Sequence, residues 1–215
     1  MSQSIVCGIP CARMSLSELT IPTSDYKALI FDLDGTLVDS MPAHFKAWCA
    51  ALGEQGKAGV FPEDVFYAMG GRPTRDIVAI INGEQGLTLN PDRVASAQKR
   101  HYLKKLDEVE LIPEVAAIAE EHRGKVSLAV ASGGSREVVE KTLQVLEISD
   151  WFDEVVTSSE VSRGKPAPDI FLEAAKRLGV EPADCVVFED ARAGIIGARE
   201  AGMEVVAVPT HFHVD

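Results

Sequence analysis

The sequence predicts an α/β protein: a parallel-sheet core that is interrupted, after its first strand, by a long helical insertion. Three observations carry this reading. Short apolar or β-branched runs recur at Ala28 to Phe31, Val126 to Ala131, Glu154 to Thr157, Val186 to Phe188 and Glu204 to Val208. From Pro113 onward these runs alternate with helix-length stretches, as parallel neighbours require when each crossover is a helix. Between about Met41 and Leu111, by contrast, the pattern is helix-periodic and shows no convincing strand.

The composition narrows the class. A chain of 215 residues with 46% hydrophobic and 25% charged residues is ordinary for a folded globular protein with one sizeable core, or a core with a smaller insert. The formal net charge of −12 argues against a nucleic-acid surface, because no long stretch clusters lysine and arginine. An acidic protein still binds an anion where a metal and a few local cations reverse the field in a cleft. Cys7, Cys11, Cys49 and Cys185 are scattered and lack the paired spacing of a structural zinc site, which fits reduced thiols in a cytoplasmic protein. No apolar run approaches the roughly 20 residues of a membrane span, so no membrane partner is expected.

Taken in order, residues 1–25 carry prolines and hydroxyl residues without a period and read as a loosely ordered leader, with Met14 as an alternative start. Residues 26–40 and 112–215 form the expected core, and 41–111 the helical insertion. Asp39 or Ser40 is placed to cap a helix from Pro42 through Leu52, with Phe45, Trp48, Cys49 and Leu52 on its apolar face. Further helices are expected over Glu63 to Met69, Thr74 to Ile81 and Pro91 to Leu106, with Gly70, Gly71, Gly83 and Gly86 as interruptions.

The chemistry-bearing residues lie where predicted strands stop. Ala28 to Phe31 runs into Asp32-Leu33-Asp34-Gly35-Thr36, which puts two carboxylates at a strand end ahead of a glycine turn. In open α/β sheets, ligands bind beyond these carboxyl ends. Val126 to Ala131 leads into Ser132-Gly133-Gly134-Ser135, a hydroxyl and glycine-exposed N–H groups suited to an anion, with Ser135 as a candidate helix cap. Lys165 sits in a rigid proline-rich turn, Gly164-Lys165-Pro166-Ala167-Pro168-Asp169. Val186 to Phe188 ends in Glu189-Asp190, a carboxylate pair that repels itself unless a cation is present, and hard oxygen ligands favour magnesium.

These four motifs, in this order over roughly Lys27 to Val208, resemble those of the haloacid dehalogenase superfamily, most of whose members are magnesium-dependent phosphatases and phosphomutases. The resemblance implies a Rossmann-like core and a helical cap of the β-phosphoglucomutase-like subgroup. It further implies Asp32 as the nucleophile forming an aspartyl-phosphate and Asp34 as general acid and base. Ser132 and Gly133 would hold phosphate, and Lys165 would bridge nucleophile and phosphate. Magnesium would be held by Asp32, the backbone carbonyl of Asp34 and Asp190, with Glu189 a more distant partner.

His44 falls where that subgroup places a histidine linking cap closure to the acid/base, although an ordinary packed histidine fits the same helix pattern. Arg72 and Arg75, beside Gly70-Gly71, are expected to supply local positive charge for substrate, while Lys99, Arg100 and Lys104 read as a solvated face. The resemblance points to a phosphatase of small sugar phosphates, acting as a monomer or weak homo-oligomer. Its runner-up is a β-phosphoglucomutase, disfavoured because Ser96 to Leu106 places no lysine at the corresponding family position. An inactive binding domain with this fold is the non-enzyme alternative, and no catalytic carboxylate is missing in support of it.

Overall fold

The computed structural model describes residues 19, 21–22 and 25–209. Most of the expected leader lies outside them, as do Met14, Cys7 and Cys11. The central strand is β1 (Ala28–Phe31). A two-residue strand β2 (Val38–Asp39) leads into four helices, α1 (Met41–Gly53), α2 (Glu63–Ala68), α3 (Thr74–Gln85) and α4 (Pro91–Leu103), and a short strand β3 (Glu110–Leu111) leads out of them. Strand–helix alternation follows: α5 (Pro113–His122), β4 (Ser127–Ser132), α6 (Arg136–Val145), β5 (Glu154–Thr157), α7 (Asp169–Leu178), β6 (Cys185–Glu189), α8 (Arg192–Glu200) and β7 (Glu204–Ala207).

The five long strands form one parallel sheet in the order β5-β4-β1-β6-β7. All four residues of β1 are fully buried, which is why its sequence is continuously apolar. Side chains alternate between faces. Leu29, Phe31, Leu128, Val130 and Phe188 pack with α5 and α6, whereas Ala28, Ile30, Ala129, Ala131 and Val187 pack with α7 and α8. Phe31 stacks on Phe188 at 4.8 Å between ring centroids.

The helices between β2 and β3 enclose an apolar cluster of their own, built on Trp48, Leu52, Phe61, Phe66, Ile81 and Val94. Ala43, Ala47 and Tyr102, on the other sides of α1 and α4, join the cluster of the sheet instead. The helices therefore stand on the sheet layer at the end where β1 stops. Among the described residues, no helix is long and apolar enough to cross a membrane.

Several expected details differ. Cys49 is exposed, and Ala43, Ala47 and Ala51 line the buried side of α1 with Trp48 and Leu52. Gly83 lies inside α3, which ends at the left-handed Gly86. Helix α4 stops at Leu103 rather than Leu106, and Glu110–Leu111 is a strand where none was expected, antiparallel to Val38–Asp39. Two residues are too few to show a period. Neither Ser40 nor Ser135 caps with its side chain, although both occupy N-cap positions.

Candidate active site

Because β1 and β6 are adjacent, their carboxyl ends bring together acids from distant parts of the chain. Asp32 N donates to Phe188 O at 2.9 Å, continuing the ladder by one step. Oxygen atoms of Asp32, Glu189 and Asp190 then lie within 4.8 Å of one another. The β1–β2 loop covers this cluster closely. Gly35 has φ of 91°, and a Cβ there would lie 2.6 Å from Asp190 Oδ2, so both conformation and space demand glycine. Thr36 Oγ1 donates to Asp190 Oδ1 at 2.8 Å and accepts Asp190 N–H at 3.0 Å.

Lys165 enters from the turn before α7, with a cis peptide to Pro166 and no exposed side-chain surface. Its ammonium donates to Asp32 Oδ1 and, at 2.6 Å, to Glu189 Oε2. The other oxygen of Glu189 accepts Ala191 N–H at 2.9 Å. Protein donors thus engage both Glu189 oxygens, which makes it the anchor of Lys165. A Cβ at Gly194 would sit 1.9 Å from Glu189 Oε2, so α8 presents bare backbone to this carboxylate.

Three buried carboxylates around one buried ammonium leave two negative charges uncompensated. Burial and the Glu189 charge push the Asp32 carboxyl well above the usual range against the pull of Lys165. The same two causes push Asp190 up to about 7. Burial alone would lower Lys165, but Asp32 and Glu189 outweigh it and hold the ammonium charged. This donor set of hard oxygens with excess negative charge fits a divalent cation.

Asp34 is different. Burial opposes its ionisation, yet His44 Nε2 at 3.0 Å and Ser40 Oγ at 2.6 Å, both on Oδ1, outweigh burial and lower its pKa. The Ser40 side chain is drawn to Asp34 and away from the helix end it was expected to cap. His44, on α1, stacks flat on Tyr102 of α4, with 3.7 Å between centroids, and its Nδ1 meets the Gln98 amide nitrogen at 2.9 Å.

Above the acids, the loop from α2 to α3 meets the core. A Cβ on Gly133 would lie 2.6 Å from Gly71 O, and one on Gly164 would lie 2.6 Å from Pro73 Cγ. Between these contacts lies a cavity of about 1010 Å³, whose wall includes Asp32, Asp34, His44, Arg72, Gly133 and Lys165. Ser132 is fully buried, and its Oγ accepts Gly134 N–H at 3.0 Å. Arg72 has no ion-pair partner among the described residues. Arg75, at the rim of the same cavity, is mostly exposed and pairs with Asp92 at 2.7 Å. Lys99 also lines the cavity and bridges to Glu137 on α6 at 2.7 Å, while Arg100 is exposed and pairs with Glu54 at 2.9 Å.

Sequence reasoning missed Thr36, Gln98 and Tyr102. Gln98 did leave a signal, a polar residue on the buried stripe Val94, Ala97, Tyr102 of α4.

The haloacid dehalogenase-like hydrolase profile matches residues 26–202, a span that includes every residue of this arrangement. The chain belongs to that family. Among hydrolases of the family's kind, the fructose-1-phosphate phosphatase YqaB of Escherichia coli (strain K12) is 40% identical over 185 residues, covering 85% of this chain and 96% of that protein. The β-phosphoglucomutase of Bacillus subtilis (strain 168) is 33% identical over 190 residues, covering 85% of this chain and 83% of that protein. CbbY from Rhodobacter sphaeroides, solved in complex with phosphate, shares the fold with a TM-score of 0.80 at 24% identity, over 88% of this chain and 90% of that one.

Proposed function

We propose that this member of the family is a magnesium-dependent phosphatase that hydrolyses phosphate monoesters of small sugars through an aspartyl-phosphate on Asp32. The observation that carries the proposal is the meeting of Asp32, Lys165, Glu189 and Asp190 under a cavity that also holds Asp34. The reading includes a cytoplasmic setting and a monomer or weak homo-oligomer. The helices of 41–111 serve as a cap over the core.

A carboxylate of Asp32 attacks phosphorus, the new O–P bond forms, and the bond from phosphorus to the sugar oxygen breaks. Lys165 holds Asp32 in place and offers a positive charge to the phosphoryl oxygens. Asp34 gives its proton to the departing sugar oxygen, a poor leaving group as an alkoxide. The negative charge of the ester opposes ionisation of Asp34, so binding favours the acid form that this step needs. Asp34 then takes a proton from water as the water oxygen attacks phosphorus, and the aspartyl–phosphate bond breaks to release inorganic phosphate. Asp32, Asp190 and the backbone carbonyl of Asp34 are the groups that would hold magnesium, with Glu189 behind them, and the ion when bound supplies neutralisation of charge on the phosphoryl oxygens. Arg72 and the N–H groups around Gly133 are assigned to substrate anions.

Purified protein assayed against a panel of phosphate esters tests this. Release of phosphate with magnesium, and its loss in Asp32→Asn, are the expected results; near-native rates in Asp32→Asn would refute the nucleophile. The similarity to a β-phosphoglucomutase gives the second reading its place. With β-glucose 1-phosphate and a catalytic amount of glucose 1,6-bisphosphate, free phosphate supports the hydrolase and glucose 6-phosphate the mutase.

A further inference from the structure

We propose that Gln98 is a positioning residue that fixes the tautomer of His44 and, through it, the Asp34 carboxyl group. This rests on the phosphoryl-transfer reading above and extends it to α4. Asp34 Oδ1 accepts the Ser40 hydroxyl at 2.6 Å and faces His44 Nε2 at 3.0 Å, so Nε2 carries the hydrogen between them. With the hydrogen on Nε2, Nδ1 is the ring nitrogen left to accept, and it needs a donor. The Gln98 amide nitrogen stands 2.9 Å from it. The reverse tautomer would set the Nε2 lone pair against the carboxylate, so it is the donor side of Gln98 that the site requires.

Burial explains why the residue is worth keeping. Gln98 is 7% exposed between Val94 and Tyr102, a place where an unpaired amide is costly. One turn along α4, Tyr102 covers the flat face of the ring and is tied to Thr142 on α6 at 3.2 Å. A single helix therefore sets both the plane and the proton of His44. Oδ1 of Asp34 receives His44 and Ser40, and among the described residues no donor reaches Oδ2. Proton exchange with substrate is thereby assigned to Oδ2.

The test uses two variants that keep the length of the side chain: Gln98→Glu, which accepts where glutamine donates, and Gln98→Met, which does neither. Two substrates separate positioning from packing. Fructose 1-phosphate needs a proton on its leaving oxygen, whereas p-nitrophenyl phosphate does not. We expect kcat/KM for fructose 1-phosphate to fall about 10- to 100-fold while that for p-nitrophenyl phosphate changes by less than about threefold. Nitrogen-15 NMR of His44 should show the Nε2–H tautomer in the parent protein and lose that pattern in Gln98→Glu. Thermal melts establish that each variant is folded, and Gln98→Met serves if the buried glutamate unfolds the protein. Equal losses on both substrates, no loss in folded Gln98→Met, or an Nδ1–H ring in the parent would overturn the assignment. A parent protein inactive on both esters would refute the phosphatase reading, while the NMR result still decides the tautomer.

Discussion

Lys165 Nζ lies 2.6 Å from Glu189 Oε2, and neither side chain has any exposed surface. A buried ion pair stripped of one member leaves the other charge without solvent or partner. Lys165→Met should therefore cost about 3–5 kcal/mol of stability in the metal-free protein, read by urea titration, and should also abolish turnover. Glu189→Gln, whose single amide oxygen can keep one of the two contacts, should cost less, because Lys165 retains Asp32 as a partner. If Lys165→Met proves as stable as the parent, the ammonium is not what holds these acids together.

Magnesium should stabilise the folded state, since the two uncompensated charges exist only when the sheet is assembled. At a free concentration near 100 times its dissociation constant the gain is about 2.7 kcal/mol, visible as a higher Tm. Asp190→Asn should remove most of that gain while leaving the metal-free Tm equal or higher, because it deletes a repelled charge. A metal-induced shift that survives in Asp190→Asn would place the ion elsewhere.

The pH dependence of the metal-free protein has a definite sign. The folded-state pKa of Asp190 rises from its ordinary 3.8 to about 7, so the folded protein binds a proton that the unfolded chain has already released between those values. Its contribution to stability is complete below the lower value and is lost as pH climbs through the upper one. Denaturant midpoints without metal should accordingly fall from pH 5 to pH 8. With saturating magnesium the trend should flatten or reverse, because the ion binds the ionised acids.

Gly133→Ala should separate access to the site from the chemistry of the acids. The added carbon would lie 2.6 Å from Gly71 O, nearer than any real contact, so the α2–α3 loop must move outward. Displacement by most of an ångström at a site that positions substrate is expected to reduce kcat/KM about 10- to 100-fold with little change in Tm. Unchanged kinetics would show that these loops need not touch during turnover.

The strands and their alternation with helices were legible because a continuously apolar run such as Ala28 to Phe31 has few alternatives once both sheet faces are covered. That Asp32 and Asp190 meet follows from placing their strands side by side. What was hidden depends on contacts between elements far apart in sequence. Gln98 reaches His44 only because α1 and α4 cross at that level, and Arg75 pairs with Asp92, which sits on another helix. Ser40 has the residue type of a helix cap, but its hydroxyl is turned to donate to Asp34. Glu189 shows the same limit, since its pairing with Lys165, 24 residues away, is a contact that its neighbour Asp190 does not announce.

The central place of β1 has a consequence for biogenesis. Its two ladder partners are β4 and β6, and the second of these is made only after most of the polypeptide has left the ribosome. Until then Asp32 stands on an unpaired edge without Glu189 and Asp190, and chains that stop short of β6 are expected to be inert towards esters. Recovery of turnover after dilution from denaturant should lag behind the return of helical circular dichroism, because pairings of long sequence separation close late.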